Sequence, residues 1–593
     1  MDVHVVGDDP VRAAVVAAFD DVDSVSAVDA TPDDLNDARF AVVSDVVGAE
    51  TFERANAAAR EGNTPWIAVE VGGVGGHPLE AVDAAISGFA TDTACFSCLE
   101  GRVESTLEDE NGSDGKPRAN RSAARLAGAI AGRECIRLFS GEEPTIVGQV
   151  REVPHARRQV LPVPGCACQP SERDRSLDLA DDESLDLEAA VDRAELAIDE
   201  RVGIVESIGE LESFPAPYYL ATVADTTAYS DASAPTQAAG VAVDWNAALM
   251  KAVGEGLERY CAGTYRDADF VRASEAGLEH AVSPTDLVRP DSAPEYDSGE
   301  DRRWVEGVDL ESGASVHLPA AAVQFPQPGD SLVPSITTGL GLGSSTVDAL
   351  RSGLTEVVER DATMLAWYST FEPLALEVDA EAETTAYETL ARRARSEGLE
   401  TTALLCSQDV DVPVVAVAVH RDLNTPTEEY EEPWPHFAVG SAAGLDAGAA
   451  AAGALEEALQ NWMELRGMGP EEAENASGAI GEYGSFPDRA RKFVDVGDAR
   501  QVAASSVGPD PVPTGAARLE ALLERVTDVG LTPYAARLTT RDVERIGFEA
   551  VRVVVPDAQP LFTSEPYFAP RAETVPDDLG FEPQLERAFH PYP

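Results

Sequence analysis

Three short phrases recur along this chain at a fixed interval, and they constrain its fold more than any bulk property. "GEGLERY" at 254–260, "LTEVVERDATMLAWY" at 354–368 and "LEEALQNWMELR" at 455–466 each place a glutamate three residues before a second acid or an amide. The pairs are Glu255 with Glu258, Glu356 with Glu359, and Glu457 with Gln460; Arg259 and Arg360 follow the first two. Glu255, Glu356 and Glu457 lie 101 residues apart each time. Each phrase reads as a helix, and each follows small residues: "QAAGVAVDWNAALMKAVGEGLER", "TTGLGLGSSTVDALRSGLTEVVER" and "GSAAGLDAGAAAAGALEEALQNW". The segments between share no similarity, so these are three similar units within one region.

Positions i and i+3 share one face of a helix, so each unit presents a pair of oxygen-bearing side chains. On the third helix the apolar stripe Ala451, Leu455, Ala458, Leu459 and Trp462 supplies the core contact, and Glu457 and Gln460 lie off it. Converging pairs would make a cage of oxygen ligands, which suits Mg²⁺. Magnesium held by few carboxylates shares its shell with phosphates, which points to ATP. Arg259, Arg360 and Arg466 have the forked geometry for phosphate oxygens. The glycine-rich stretches are expected to turn backbone N–H groups towards anions. In a chain this acidic, a single E-x-x-E is more often a solvated helix face. Three with the same preceding stretch favour a shared site.

The chain has 593 residues, too many for one hydrophobic core, which predicts two to four domains. Asp and Glu number 106 against 44 Lys and Arg, a net charge of −62 spread along the whole length. Lysine occurs only at Lys116, Lys251 and Lys492. Such a surface repels itself in dilute buffer and is tolerated when salt screens it, so a halophile's cytoplasm is the expected setting. No basic patch is visible, which argues against nucleic-acid partners. No apolar run reaches membrane-spanning length and "MDVHVVGDDP" lacks a signal-peptide pattern, so a cytoplasmic protein with no membrane partner is expected. The seven cysteines then read as thiols or metal ligands.

Residues 1–90 alternate strand and helix signals, which predicts a Rossmann-like parallel sheet. The first turn, "VVGDDPVR", has one glycine where a dinucleotide fingerprint needs three, so no nucleotide is expected there. "ACFSCLEGR", a polar loop, an Ala-rich helix over about 121–139 and "PVPGCACQPSERDRSLDLADDESLDLE" follow. Residues 91–204 thus extend the first domain and end in an acidic linker, with a helix from about 186. A large mixed α+β region occupies 205–593.

"KAVGEGLER", "DALRSGLTEVVERDA" and "ALEEALQNWMELR", in this order, resemble a YcaO domain, and the likeness runs through the whole of 205–593. The resemblance implies ATP and Mg²⁺ bound through helix carboxylates and used to phosphorylate a peptide backbone amide oxygen. Position by position, Glu255, Glu258, Glu356 and Glu359 resemble the metal and phosphate ligands. Asp348, eight before Glu356, stands where the family has another acid. Arg259, Arg360, Glu457 and Gln460 resemble nucleotide-site residues. The chain departs from the family pattern in the shorter Asp348 and in Ser352, which stands where a Gln is often found.

"GNTPWIAVEVGGVGGHPLEAVDAAISGFATDTACFSCL" resembles the ThiF-like, ubiquitin-activating-enzyme-like partner domain of azole-forming cyclodehydratases, which presents the peptide and does not use ATP. On that resemblance Cys95, Cys98, Cys166 and Cys168 make a four-thiolate zinc site, structural because no position is left open. Cys135, Cys261 and Cys406 read as buried small hydrophobes. The final "AFHPYP" resembles the proline-rich tail of this family, with Pro591 and Pro593 as its last P-x-P. This implies a catalytic role for the carboxylate of Pro593 or for His590 in proton transfer. The remaining histidines, such as His77, His155, His317 and His436, lack metal spacing.

The resemblance implies an enzyme: cyclodehydration of Cys, Ser or Thr to an azoline in a ribosomal peptide. The first strand starts at residue 3, where many relatives carry a winged-helix leader-binding module. A separate leader-binding protein is therefore one expectation. A thioamide-forming enzyme with a sulfur-delivery partner is another, and a non-catalytic peptide-binding scaffold a third. An adenylating enzyme acting through the N-terminal domain is disfavoured by the missing glycines. The family resemblance also implies a homodimer.

Overall fold

The computed structural model describes all residues except 21, 23, 108–119, 143–144, 169–172, 330, 379–384, 426–432, 477 and 497–499. Most of the polar loop expected after "ACFSCLEGR" lies outside the described residues. The first 159 residues build one seven-stranded sheet. Strands β1 (Asp2–Val6), β2 (Ser26–Asp29), β3 (Ala41–Val46) and β4 (Trp66–Val71) are parallel, as the alternating pattern predicts. The sheet is nonetheless mixed, not wholly parallel. The connection after β4 is occupied by a small hairpin of β5 (Gly73–Val74) and β6 (His77–Pro78) and holds no crossover helix. Strand β7 (Ala84–Phe89) therefore returns antiparallel to β4. β8 (Gln149–Val153) and β9 (Ala156–Gln159) continue antiparallel, so strands beyond residue 90 complete the same sheet.

Helices α1 (Val11–Phe19) and α4 (Arg121–Phe139) cover one face of this sheet. Helices α2 (Glu50–Gly62) and α3 (Phe96–Glu104) cover the other. Residues 173–186 form a strap without helix or strand that leads to α5 (Leu187–Ala194), which is capped by the Asp186 side chain.

The larger region carries three sheets. β10 (Val205–Glu212), β11 (Tyr218–Val223) and β12 (Gln237–Val241) form an antiparallel meander. A second sheet joins β13 (Val271–Ala273), β14 (Arg302–Asp309), β15 (Ser315–Pro319), β16 (Leu340–Gly343), β22 (Tyr534–Arg537) and β23 (Glu549–Val554). A third joins β17 (Leu374–Glu377), β18 (Glu400–Leu405), β19 (Val414–His420), β20 (Phe437–Ala443) and β21 (Gln501–Ala503). Helices α6 (Trp245–Gly263), α7 (Ala320–Val323), α8 (Thr346–Trp367), α9 (Ala386–Ser396) and α10 (Ala447–Ala473) pack against them. α10 is broken at Gly469, where φ is +74°, just before Pro470.

The three recurring phrases are three strand-then-helix units: β12–α6, β16–α8 and β20–α10. Each helix starts at a side-chain cap. Asp244, Ser345 and Asp446 accept from the N–H groups of Ala247, Asp348 and Ala449 at 3.0, 3.2 and 3.0 Å. One orphan donor of each first turn is thus satisfied within the unit. The small residues also serve close packing. At Gly240, Gly341 and Gly440, one in each strand, an added Cβ would run into backbone atoms of the following helix. Glycine there lets helix and strand approach closely. The α10 stripe Ala451, Leu455, Ala458, Leu459 and Trp462 is buried to 1% exposure or less, as its spacing predicts.

Replacing Gly341 by Val should push β16 off α8 and lower stability by about 1–3 kcal/mol or more, the usual cost of overpacking. Thermal unfolding checks this; an unchanged midpoint would remove close packing as the reason for the small residues.

Candidate active site

The three units converge on one cavity of about 720 Å³. Glu255 and Glu258 enter from α6, Glu356 and Arg360 from α8, and Glu457, Gln460 and Glu464 from α10. The segment 335–338, Tyr218 and Pro593 also line it. The first glutamate of each phrase is anchored in one way. Glu255 accepts from the Ala239 N–H at 2.6 Å, Glu356 from Gly339 at 2.9 Å and Glu457 from Ser441 at 2.5 Å. Each donor lies in or just before the strand of its own unit, 16 or 17 residues upstream. The backbone N–H groups of the glycine-rich stretches therefore do meet anions, namely the protein's own carboxylates.

Arg360 stands among three of these acids, with Glu356 at 3.8 Å, Glu359 at 3.4 Å and Glu457 at 3.6 Å. Glu359 lies just behind the wall, 9% exposed, and accepts from the Ser441 hydroxyl at 2.6 Å. Arg259 pairs with Glu255 at 2.5 Å and donates to the Gln237 carbonyl at 2.6 Å. Arg552 of β23 is buried behind Glu258 and Glu356 and donates to the Thr337 carbonyl at 2.9 Å. Six carboxylates (Glu255, Glu258, Glu356, Glu359, Glu457 and Glu464) thus face three guanidiniums. Burial and neighbouring acids push the Glu258 carboxyl up to about 8. Burial, partly offset by Arg360, pushes Glu359 up to about 8. The surplus of half-buried negative charge fits divalent cations held by oxygen. Among the described residues, the buried Arg360 Nη1 and Arg552 Nε have no hydrogen-bond acceptor, although Arg360 Nη1 lies 3.4 Å from Glu359.

Several expected residues stand elsewhere. Asp348 lies at the start of α8, two turns before Glu356, bonded to Ser184 and 3.4 Å from Arg351; it does not line the cavity. Arg466 is drawn away by Glu212 and Glu397 and stacks 4.4 Å over the Trp462 ring. His590 is fully buried among Tyr368, Phe562, Phe589 and Tyr592, with Nε2 2.7 Å from the Phe562 carbonyl. Burial lowers its pKa to about 4, so it is neutral and out of reach of the cavity.

Two participants were not anticipated. Glu464 receives the Gln460 amide at 3.0 Å and the Tyr218 hydroxyl at 3.1 Å. It lies one turn beyond Gln460 on the same face, a signal present in "QNWMELR". Arg552 interrupts the apolar strand "EAVRVVV", and a lone charge in a buried strand implies a partner.

The four cysteines form a second centre, in the N-terminal domain. Cys95 and Cys98 open α3, and Cys166 and Cys168 follow the turn at Gly165. Sulfur separations are 3.9 Å for Cys95–Cys98, 3.6 Å for Cys95–Cys166 and 3.5 Å for Cys98–Cys168. A tetrahedral ion with bonds of about 2.3 Å sets sulfurs about 3.8 Å apart, so the four thiols have the spacing of a metal site. Cys135, Cys261 and Cys406 are buried and apart from it.

Carboxylates from three strand–helix units and guanidiniums from two of them wall one cavity, an arrangement suited to oxygen-bound cations and phosphates. The family described as YcaO cyclodehydratase, ATP- and Mg²⁺-binding, matches residues 239–559, just over half of the chain. The chain belongs to the YcaO family and is an ATP-dependent enzyme. Among solved structures it is similar to a heterocyclase in complex with substrate and cofactor, at 18% identity and a TM-score of 0.74, covering 100% of this chain and 85% of that one. It is also similar to the heterocyclase TruD, at 17% identity and a TM-score of 0.67, covering 98% and 81%. These likenesses extend the shared fold to the N-terminal domain. A comparison with curated proteins returned no match. Among the described residues, no helix is long and apolar enough to cross a membrane.

Proposed function

We propose that the protein uses ATP to activate a backbone amide of a ribosomal peptide and cyclises a Cys, Ser or Thr onto it. The observation that carries this reading is the convergence of Glu255, Glu258, Glu356, Glu457 and Glu464 with Arg259 and Arg360, from three helices, on one cavity, with Glu359 and Arg552 buried behind its wall. Glu255, Glu258, Glu356 and Glu359 would hold the magnesium, with Glu457, Gln460 and Glu464 beside them, and Arg259 and Arg360 would meet phosphate oxygens. Bound Mg²⁺ neutralises the charge of the phosphates during transfer. The side-chain thiol or hydroxyl adds to the preceding carbonyl carbon and gives up its proton. The resulting oxygen takes the γ-phosphoryl group and ADP leaves. Phosphate then departs with the carbonyl-derived oxygen, the amide nitrogen loses its proton, and the C=N bond of the azoline forms. Pro593 lies on the cavity wall, in reach of these groups. Cys95, Cys98, Cys166 and Cys168 hold a structural zinc.

Isotopically labelled oxygen in the substrate amide tests this. The label should appear in released phosphate, and the product should lose one water. Label in phosphate with sulfur gained by the product would indicate the thioamide reaction. Label retained in the peptide would contradict amide activation. The assay belongs in molar KCl, because the net charge of −62 needs screening.

The raised carboxyl pKa values give a pH dependence. Glu258 and Glu359 bind protons more tightly folded than unfolded, where the value is near 4.5. In the metal-free protein their contribution to stability falls as pH rises from there to about 8. Magnesium competes with those protons, so its stabilising effect should grow over the same window. Thermal scans with and without Mg²⁺ across this range check the sign; a magnesium effect that shrinks with pH would contradict it.

A further inference from the structure

Helix α6 faces two ways. A helix turns about 100° per residue, so Tyr260 projects roughly opposite Glu258. Glu258 enters the cavity, and the fully buried Tyr260 meets the N-terminal domain. Its hydroxyl donates to Asp542 Oδ2 at 2.6 Å. Asp542, in the short helix Arg541–Arg545, is fully buried and takes a second bond, from Arg102. Arg102 lies on α3, one turn after Cys98, with no exposed surface. Its remaining donors reach the Leu161 and Pro162 carbonyls and the Tyr229 hydroxyl, at 3.5, 3.1 and 3.3 Å. The cysteine-bearing helix and the carboxylate-bearing helix therefore share one buried acid.

The strap does the equivalent for α8. Asp181 accepts from the Thr346 N–H at 3.2 Å through its side chain and from the Val347 N–H at 3.1 Å through its carbonyl. Leu185 donates to Ser344 at 2.9 Å. Two of the three helices that build the cavity are thus held from the N-terminal segment.

We propose that Asp542 and Tyr260 are positioning residues of the cavity, through which Arg102 of the N-terminal domain fixes α6 and so sets where Glu255 and Glu258 stand against Glu356. The N-terminal domain then completes the nucleotide and metal site without touching the ligand. A buried acid shared by an arginine and a tyrosine favours one rotation and height for α6, because any shift of α6 takes the tyrosine hydroxyl away from the buried carboxylate. The inference rests on the assignment of MgATP to the cavity.

Tyr260→Phe removes one hydroxyl and leaves the Arg102–Asp542 pair intact. Tyr229→Phe is the control: it removes another hydroxyl from Arg102 and leaves the Tyr260–Asp542 bond in place. Both are made in the full chain and compared for KM of MgATP, kcat, melting temperature and bound zinc. Tyr260→Phe should raise KM for MgATP by about tenfold, the loss expected for one hydrogen bond to a charged group, with zinc retained and a melting temperature like that of Tyr229→Phe. Tyr229→Phe should leave KM near the wild-type value. Equal KM in both variants, or a KM shift that only follows melting temperature, overturns the inference while wild-type MgATP use upholds the functional reading. Absence of MgATP use in the folded wild type overturns both.

Discussion

Replacing Glu356 by Gln lowers ATP turnover by about a thousandfold or more, comparable with the removal of a principal electrostatic group in other phosphoryl- and acyl-transfer sites. The carboxylate accepts from Gly339, lies 3.8 Å from Arg360 and faces Glu258 across the cavity. The amide keeps the volume and a carbonyl oxygen for Gly339, so the fold should survive. It loses the charge that restrains Arg360 and that is proposed to bind magnesium. Steady-state hydrolysis at saturating Mg²⁺, with melting temperature as the control for folding, checks this. Activity within a few fold of wild type in Glu356→Gln would place the chemistry outside the three-helix cavity. Asp348→Asn, at the far end of the same helix, should by contrast leave turnover near wild type.

The second large effect lies in the N-terminal domain. Replacing Cys98 by Ala, or removing metal with a chelator, should unfold or detach the segment around α3. Structural zinc sites with four thiolates contribute folding free energy on the order of 10 kcal/mol in small domains. Here the sheet has its own core, so the loss should centre on α3 and residues 160–168. Metal content by mass spectrometry and protease sensitivity near Cys166 report it. One bound zinc in the wild type, none in Cys98→Ala and faster cleavage are expected. A metal-free wild type that resists cleavage would remove the metal from the account.

Sequence reasoning reached the helices of the cavity because their signal is local. An acid three residues before another, a small-residue strand upstream and a constant interval of 101 are all readable from the chain. Both ends of α2 and α4 and the start of α5 follow the sequence signals closely for the same reason. Features built from distant residues were not legible. Arg102 meets Asp542 across 440 positions, and nothing in either neighbourhood announces the pair. The antiparallel half of the first sheet depends on how β4 is connected to β7, which alternation alone does not encode. His590 shows the reverse error: a titratable residue beside a tail motif suggests proton transfer, but tertiary packing buries it and lowers its pKa to about 4. Asp348 matches the family position, yet it helps hold the strap at the head of α8.

The central claim is that three strand–helix units build one MgATP site. Titration calorimetry of ATP into the full chain in molar KCl, with and without Mg²⁺, tests it most directly when wild type is compared with Glu258→Gln. The account predicts magnesium-dependent binding by the wild type that is lost or weakened by orders of magnitude in the variant. Equal binding by both proteins would contradict it and place the nucleotide elsewhere in the molecule.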